Sequence, residues 1–229
     1  MLSVTNLDVA YGNAMALHGI SIEVEQGQMV FVAGRNGAGK TTLFKSIAGF
    51  LKPRSGAILF EGKSIVGLPP EKVALLGIRY IFQDKRVFSN LTVRENIELA
   101  AYPVKVNMNE AVGKILQIYP KMEKFLSLKA GSLSGGQRQI LLIGRALIGS
   151  PKLLLIDEPT EGLAAGIIND ILNVLSLMKG KVSMVIVEQN LSVVGMLADK
   201  VYMVKEGKIM KEMVDKAEIN DKMAMEQYL

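Results

Sequence analysis

The run "GRNGAGKT", residues 34–41, contains the residue types that hold a phosphate. Its glycines let successive backbone N–H groups turn toward phosphate oxygens, and the helix predicted over "TLFKSIAGF" aims the positive end of its dipole at the same point. In the G-x-x-x-x-G-K-[ST] spacing, the Lys40 ammonium reaches the outer phosphates and the Thr41 hydroxyl ligates magnesium. The apolar run "MVFVA" just upstream predicts a strand, so the pattern sits in the strand-loop-helix context it requires. A Gly-rich turn that holds nothing is the plain alternative.

A second run, "LLLIDE" at residues 153–158, delivers two carboxylates at the end of a predicted apolar strand. Asp157 is placed to hold Mg²⁺, directly or through water, and Glu158 to take a proton from an attacking water. Alone, such a strand is often one that merely meets solvent; together with a phosphate loop it reads as part of a site. The third run is "LSGGQ", residues 133–137. Ser134 followed three residues later by Gln137 is a capping box ahead of the apolar spacing in "QILLIGRALI". Two glycines in a first turn are poor helix formers, and they make sense where a helix N-terminus lies bare against an anion.

The elements that must position these residues alternate between strand and helix. "LSVTNLDV", "ISIEVEQ" and "AILFE" are short, β-rich and separated by turn residues, predicting an antiparallel portion near the N-terminus. "KLLLID" and "VSMVIVE" are near-continuous apolar runs, the pattern of parallel strands buried on both faces. Residues from about 90 to 150 are mostly helical in pattern, including "VRENIELAA", and predict a helical lobe inserted into an α/β core. With 229 residues, 49% hydrophobic and 21% charged, the chain can bury a substantial core. The absence of cysteine excludes disulfides and thiolate metal sites. "MLSVTNLDVAYGN" has no signal-peptide pattern, and no apolar run approaches the roughly 20 residues that span a bilayer. The net charge of +5 would favour anionic ligands or a lipid surface, a dispersed, solvated lysine face being the plain alternative.

In order and separation, the three motifs resemble the nucleotide-binding subunits of ABC transporters, over nearly the whole chain. That resemblance implies an α/β P-loop NTPase: a RecA-like core with an antiparallel β portion and an inserted helical lobe, about residues 90–150, that carries the signature "LSGGQ". Residues 1–229 would form one ABC ATPase domain. It implies ATP and Mg²⁺, with Gly34, Asn36, Gly37, Ala38, Gly39, Lys40, Thr41 and Thr42 around the phosphates. Tyr11 takes the place of the aromatic that stacks on adenine, a packed turn tyrosine being the alternative. Gln83, in "YIFQDKRVF", matches the glutamine that senses magnesium or the attacking water and faces the membrane subunits, so the metal set is Thr41, Gln83 and Asp157. Ser134, Gly135, Gly136 and Gln137 would meet the γ-phosphate of ATP held by a second subunit, two subunits enclosing two ATP molecules.

Two departures from the family pattern bear on catalysis. The position commonly held by a histidine is Gln189, in "VIVEQN", and the only histidine, His18, lies far upstream. Ala164 stands where the family commonly has aspartate. Neither change removes Lys40, Thr41, Asp157 or Glu158, so hydrolysis is expected to persist, Glu158 polarising water and Gln189 donating a hydrogen bond to the γ-phosphate. Gln189 as a purely structural residue is the alternative. "VEQN" with "GLA" resembles the ATPases of branched-chain amino-acid importers and of the related urea and short-amide importers, although Gln83 replaces the glutamate expected in many of them. The partners implied are integral membrane transporter subunits and a second ATPase subunit, identical or not, with no nucleic acid; the place implied is the cytoplasmic, inner face of the cell membrane. A soluble ABC ATPase acting outside transport, as in iron-sulfur cluster assembly, and an ATP-gated dimerisation module with negligible turnover are the other readings. A small GTPase has no place for "LSGGQ", and no Asn-Lys-x-Asp motif occurs.

Overall fold

Residues 1–229 are described by a computed structural model. Its strands are β1 (Leu2–Tyr11), β2 (Ala14–Val24), β3 (Met29–Ala33), β4 (Ser55–Phe60), β5 (Lys63–Ser64), β6 (Ile78–Ile81), β7 (Leu153–Asp157), β8 (Ser183–Glu188), β9 (Lys200–Lys205) and β10 (Lys208–Met213). Its helices are α1 (Lys40–Ile47), α2 (Pro70–Leu75), α3 (Val93–Ala101), α4 (Met108–Ile118), α5 (Gly135–Leu147), α6 (Ala165–Met178), α7 (Leu191–Leu197), α8 (Lys216–Asn220) and α9 (Lys222–Glu226).

The strands form two sheets, ordered β2-β1-β4-β5 and β10-β9-β3-β8-β7-β6. The first is antiparallel, and Leu2, Val4, Leu7 and Val9 of β1 turn one face into the core, with register shifts between Val4 and Leu7 and between Leu7 and Val9. In the second, β3 pairs in parallel with β8 and β9, and β7 with β8. Every residue of β3, β7 and β8 is buried, which is why these segments run apolar rather than alternating except at Asp157, Ser183 and Glu188. Their register matters most for function. Ala33, the last residue of β3, lies opposite Glu188, and Asp157, the last of β7, lies opposite Val187. The C-terminal ends of three neighbouring strands therefore finish level, and the segments that leave them begin side by side, the arrangement in which open parallel sheets bind ligands.

The chain divides into two compact units. The first comprises Met1–Tyr80, Leu153–Glu158 and Lys179–Leu229, and the second Ile81–Lys152 and Pro159–Met178. The second unit holds α3, α4, α5 and α6, so α6 joins the helices of residues 93–147. Two of its helices begin with capping boxes, Thr92 with Glu95 and Ser134 with Gln137. Gly136 has a packing reason beside any role toward an anion: a Cβ there would fall 1.8 Å from Cγ2 of Ile167, so only glycine lets α5 approach α6 this closely. The segment "KAEINDKMAMEQYL" forms two short helices, α8 and α9. The Asp221 carboxylate accepts from Met223 N and Ala224 N at 2.9 and 3.1 Å, restarting the helix after a break. No helix is long and apolar enough to cross a membrane.

Candidate active site

The loop leaving β3 is bent by Gly39, the N-cap of α1, at φ 104°. A Cβ there would approach Leu17 Cδ2 to 2.6 Å, so a side chain is excluded by both conformation and space. No side chain caps α1 and its first turn carries no acidic residue, which leaves those backbone N–H groups to an anion. Lys40 opens the helix and is only 5% exposed. Its Nζ donates to the carbonyls of Gly34 at 2.8 Å and Arg35 at 3.0 Å, and lies 3.3 Å from Oε1 of Glu158. An ammonium has three donors, and protein groups engage all of them.

The carboxylates at the end of β7 are set apart by their surroundings. Asp157 is 1% exposed; its Oδ2 accepts from the Tyr80 hydroxyl at 2.9 Å, and its Oδ1 is buried with no hydrogen-bond partner. Burial pushes its carboxyl above the usual carboxylate range, against the opposing pull of Tyr80, Thr41, Lys40 and Lys45. Tyr80 is held edge-on by Phe44, with ring centroids 5.8 Å apart. A buried, orphaned carboxylate oxygen near a threonine hydroxyl suits a hard divalent cation. No cluster of three or more His, Cys, Asp or Glu forms.

Glu158, 5% exposed, adopts a left-handed backbone at φ 46°, and its N–H donates to Val187 O at 3.0 Å. A non-glycine residue in this region is held there by its surroundings, and such positions concentrate at functional sites. From the neighbouring β8 comes Gln189, which is exposed. Its Nε2 donates to Asn36 Oδ1 of the loop and to Glu158 Oε1, the latter at 3.5 Å. Lys40, Glu158, Gln189 and Asn36 thus form one connected polar group. Tyr11 stands 48% exposed at the end of β1, with its hydroxyl 3.4 Å from Thr42 Oγ1.

Gln83, Ser134, Gly135, Gly136 and Gln137 lie in the second unit. Gln83 Nε2 donates to Glu161 Oε2 at 2.7 Å, and Lys85 Nζ donates to the Glu161 carbonyl. Ser134 N donates to Gln137 Oε1 at 2.9 Å, closing the box at the start of α5. Ala164 is exposed just before α6, and His18 is exposed on β2. Two residues of the first unit escaped sequence reasoning. Tyr80 orients Asp157, and its only signal is an aromatic three positions before Gln83. Glu188 lies beneath Gln189, and its only signal is a charge ending an otherwise apolar strand.

This fold and this group of side chains define a P-loop nucleotide-binding ATPase. Comparison with known proteins places it more closely. The ABC transporter family model matches residues 17–161, and the chain belongs to that family. It is 39% identical over 211 residues to the high-affinity branched-chain amino acid transport ATP-binding protein BraG of Pseudomonas aeruginosa, covering 91% of each chain. Among solved structures it is similar to the ADP conformation of an ATP-binding cassette of an ABC transporter, at 32% identity and a TM-score of 0.84 over 100% of this chain and 98% of that one. It is also similar to a dimeric post-hydrolysis cassette bound to ADP and Pi, at 25% identity and a TM-score of 0.82 over 93% and 98%.

The raised Asp157 carboxyl has a consequence for stability. Above its folded-state pKa the ionised group is held where burial disfavours it, so it opposes folding. Below the unfolded value of about 3.9 both states are protonated and the penalty vanishes. Asp157→Asn should therefore raise the Tm of the protein without nucleotide or magnesium at pH 8, and the gain should shrink as the pH falls toward 4. A variant that melts at or below the wild-type temperature at pH 8 would contradict this assignment.

Proposed function

We propose that this chain is the ATP-hydrolysing subunit that energises a membrane importer of branched-chain amino acids or related small solutes. The observation that carries the chemistry is the convergence of Lys40, Glu158 and Gln189 at the level C-terminal ends of β3, β7 and β8. The solute class rests on the similarity to BraG along nine-tenths of the chain.

In this reading Gly34, Asn36, Gly37, Ala38, Gly39 and Thr42 wrap the phosphates, and Tyr11 stacks on the adenine. Thr41, Asp157 and Gln83 would hold Mg²⁺, directly or through water, and the ion would supply neutralisation of phosphate charge. Lys40 leaves the Glu158 carboxylate for a phosphate oxygen, and Glu158 then accepts the proton of the water that attacks the γ-phosphorus as ADP departs. Gln189 donates to a γ-phosphate oxygen, a neutral donor for a charge that grows in the transition state. Ser134, Gly135, Gly136 and Gln137 meet the γ-phosphate held by a second ATPase subunit, so the working form is a dimer. The pair lies peripherally on the inner face of the membrane against integral membrane subunits.

Glu158→Gln should reduce ATP turnover by at least about 100-fold, the range for loss of a general base, with the fold intact by thermal melting. Turnover equal to wild type would refute the assignment. The transport role is tested separately by purifying the tagged chain from gently solubilised native cells. Polytopic membrane subunits should accompany it; recovery of soluble partners alone would move a non-transport ABC ATPase to first place.

A further inference from the structure

We infer that Glu188 is the positioning residue for the Gln189 switch: its buried carboxylate holds the backbone of residues 189 and 190 so that the Gln189 amide reaches Asn36 and Glu158. The inference rests on the reading of Gln189 as a γ-phosphate donor.

Glu188 is 2% exposed and ends β8, the strand between β3 and β7, opposite Ala33. A charge in that place is costly to bury unless it is hydrogen-bonded. Its Oε2 accepts from Gln189 N at 3.1 Å and Asn190 N at 3.2 Å. Both bonds are charge-assisted, and together they fix the direction in which the chain leaves the strand. The ordinary structural explanation is that Glu188 caps the helix that follows. That task is already done, because the Asn190 side chain accepts from Ser192 N at 3.1 Å as the N-cap of α7. The two N–H groups that Glu188 takes lie before the helix, on the switch residue and its neighbour. One residue earlier, Val187 O holds Glu158 N at 3.0 Å, so the end of β8 anchors Glu158 through its carbonyl and Gln189 through its last side chain.

The placement predicts a specific kinetic pattern. Displacing a reacting or stabilising group by about 1 Å costs up to about 100-fold in rate, so loss of the carboxylate should be felt in kcat while ATP is still bound. Glu188→Val should lower kcat for ATP about tenfold with KM changed less than about twofold. Glu188→Gln, which keeps an acceptor oxygen of the same reach, should stay within about threefold of wild type. The test is a double-mutant cycle on purified full-length chain, with thermal melting of each variant. In a Gln189→Ala background Glu188→Val should cause no further loss of kcat, since the residue it positions is gone. If Glu188→Val costs the same factor in both backgrounds, or Glu188→Gln is as slow as Glu188→Val, the inference is overturned. If Gln189→Ala alone turns over ATP at the wild-type rate, the reading of Gln189 as a phosphate donor fails and the inference falls with it. Should Glu188→Val not fold, the same cycle run with Glu188→Gln against Glu188→Thr, whose shorter side chain cannot span to both N–H groups, decides in the same way.

Discussion

Lys40 and Glu158 stand 3.3 Å apart, each with about one-twentieth of its surface exposed. Two opposite charges held out of water are not a strong source of stability, because desolvation offsets most of their attraction. What makes the pair tolerable is its surroundings: two carbonyls of the phosphate loop for Lys40, and the end of β8 behind Glu158. The pair also ties the loop after β3 to the turn after β7, so the geometry of the site depends on it. A phosphate that recruits Lys40 must exchange with one of its three partners; in the proposed mechanism that partner is the Glu158 carboxylate, the group proposed to accept the proton of water, so that phosphate capture and activation of the base would be one event.

The sheet makes that possible through register. Because β3, β8 and β7 are adjacent and parallel, with Ala33 opposite Glu188 and Asp157 opposite Val187, a shift of one residue in either pairing would carry the lysine, the carboxylates and the glutamine apart. The left-handed turn at Glu158 is the local cost of sending its side chain toward Lys40 immediately after Asp157 has been directed at Tyr80. Two consecutive acids thus reach different surroundings: Asp157 is dry with an orphaned oxygen, fit for a cation, and Glu158 is paired, fit to act on water once released. The histidine usual in the family is absent, and the glutamine in its place sits within the same network, bonded to Asn36 and Glu158. A neutral amide cannot supply positive charge, so in the proposed mechanism the electrostatic work on the γ-phosphate would fall more heavily on Lys40 and the α1 N-terminus.

Much of this was legible in the residues. The central strands were visible because burial on both faces demands unbroken apolar runs, and Lys40, Thr41, Asp157 and Glu158 because loop and strand-end chemistry is written in contiguous spacing. The Ser134–Gln137 cap was readable for the same local reason. What was not legible depends on partners distant in sequence. Glu161, which accepts from Gln83, lies 78 residues away, and the close approach of Ile167 to Gly136 is a tertiary event. Glu188 looked like an ordinary strand terminus until the backbone N–H groups above it were placed. The break between α8 and α9 was hidden because an aspartate within a helical pattern reads equally well as an interior residue or as a cap.

The measurement that tests the central claim most directly is the affinity of Glu158→Gln for ADP, by calorimetry with magnesium chelated, beside wild type. ADP engages the phosphate loop without a γ-phosphate to draw two subunits together. If Lys40 must leave the Glu158 carboxylate to take a phosphate oxygen, removing that charge should tighten ADP binding several-fold. Equal or weaker binding would show that the pair is not exchanged on phosphate capture, and would contradict the account.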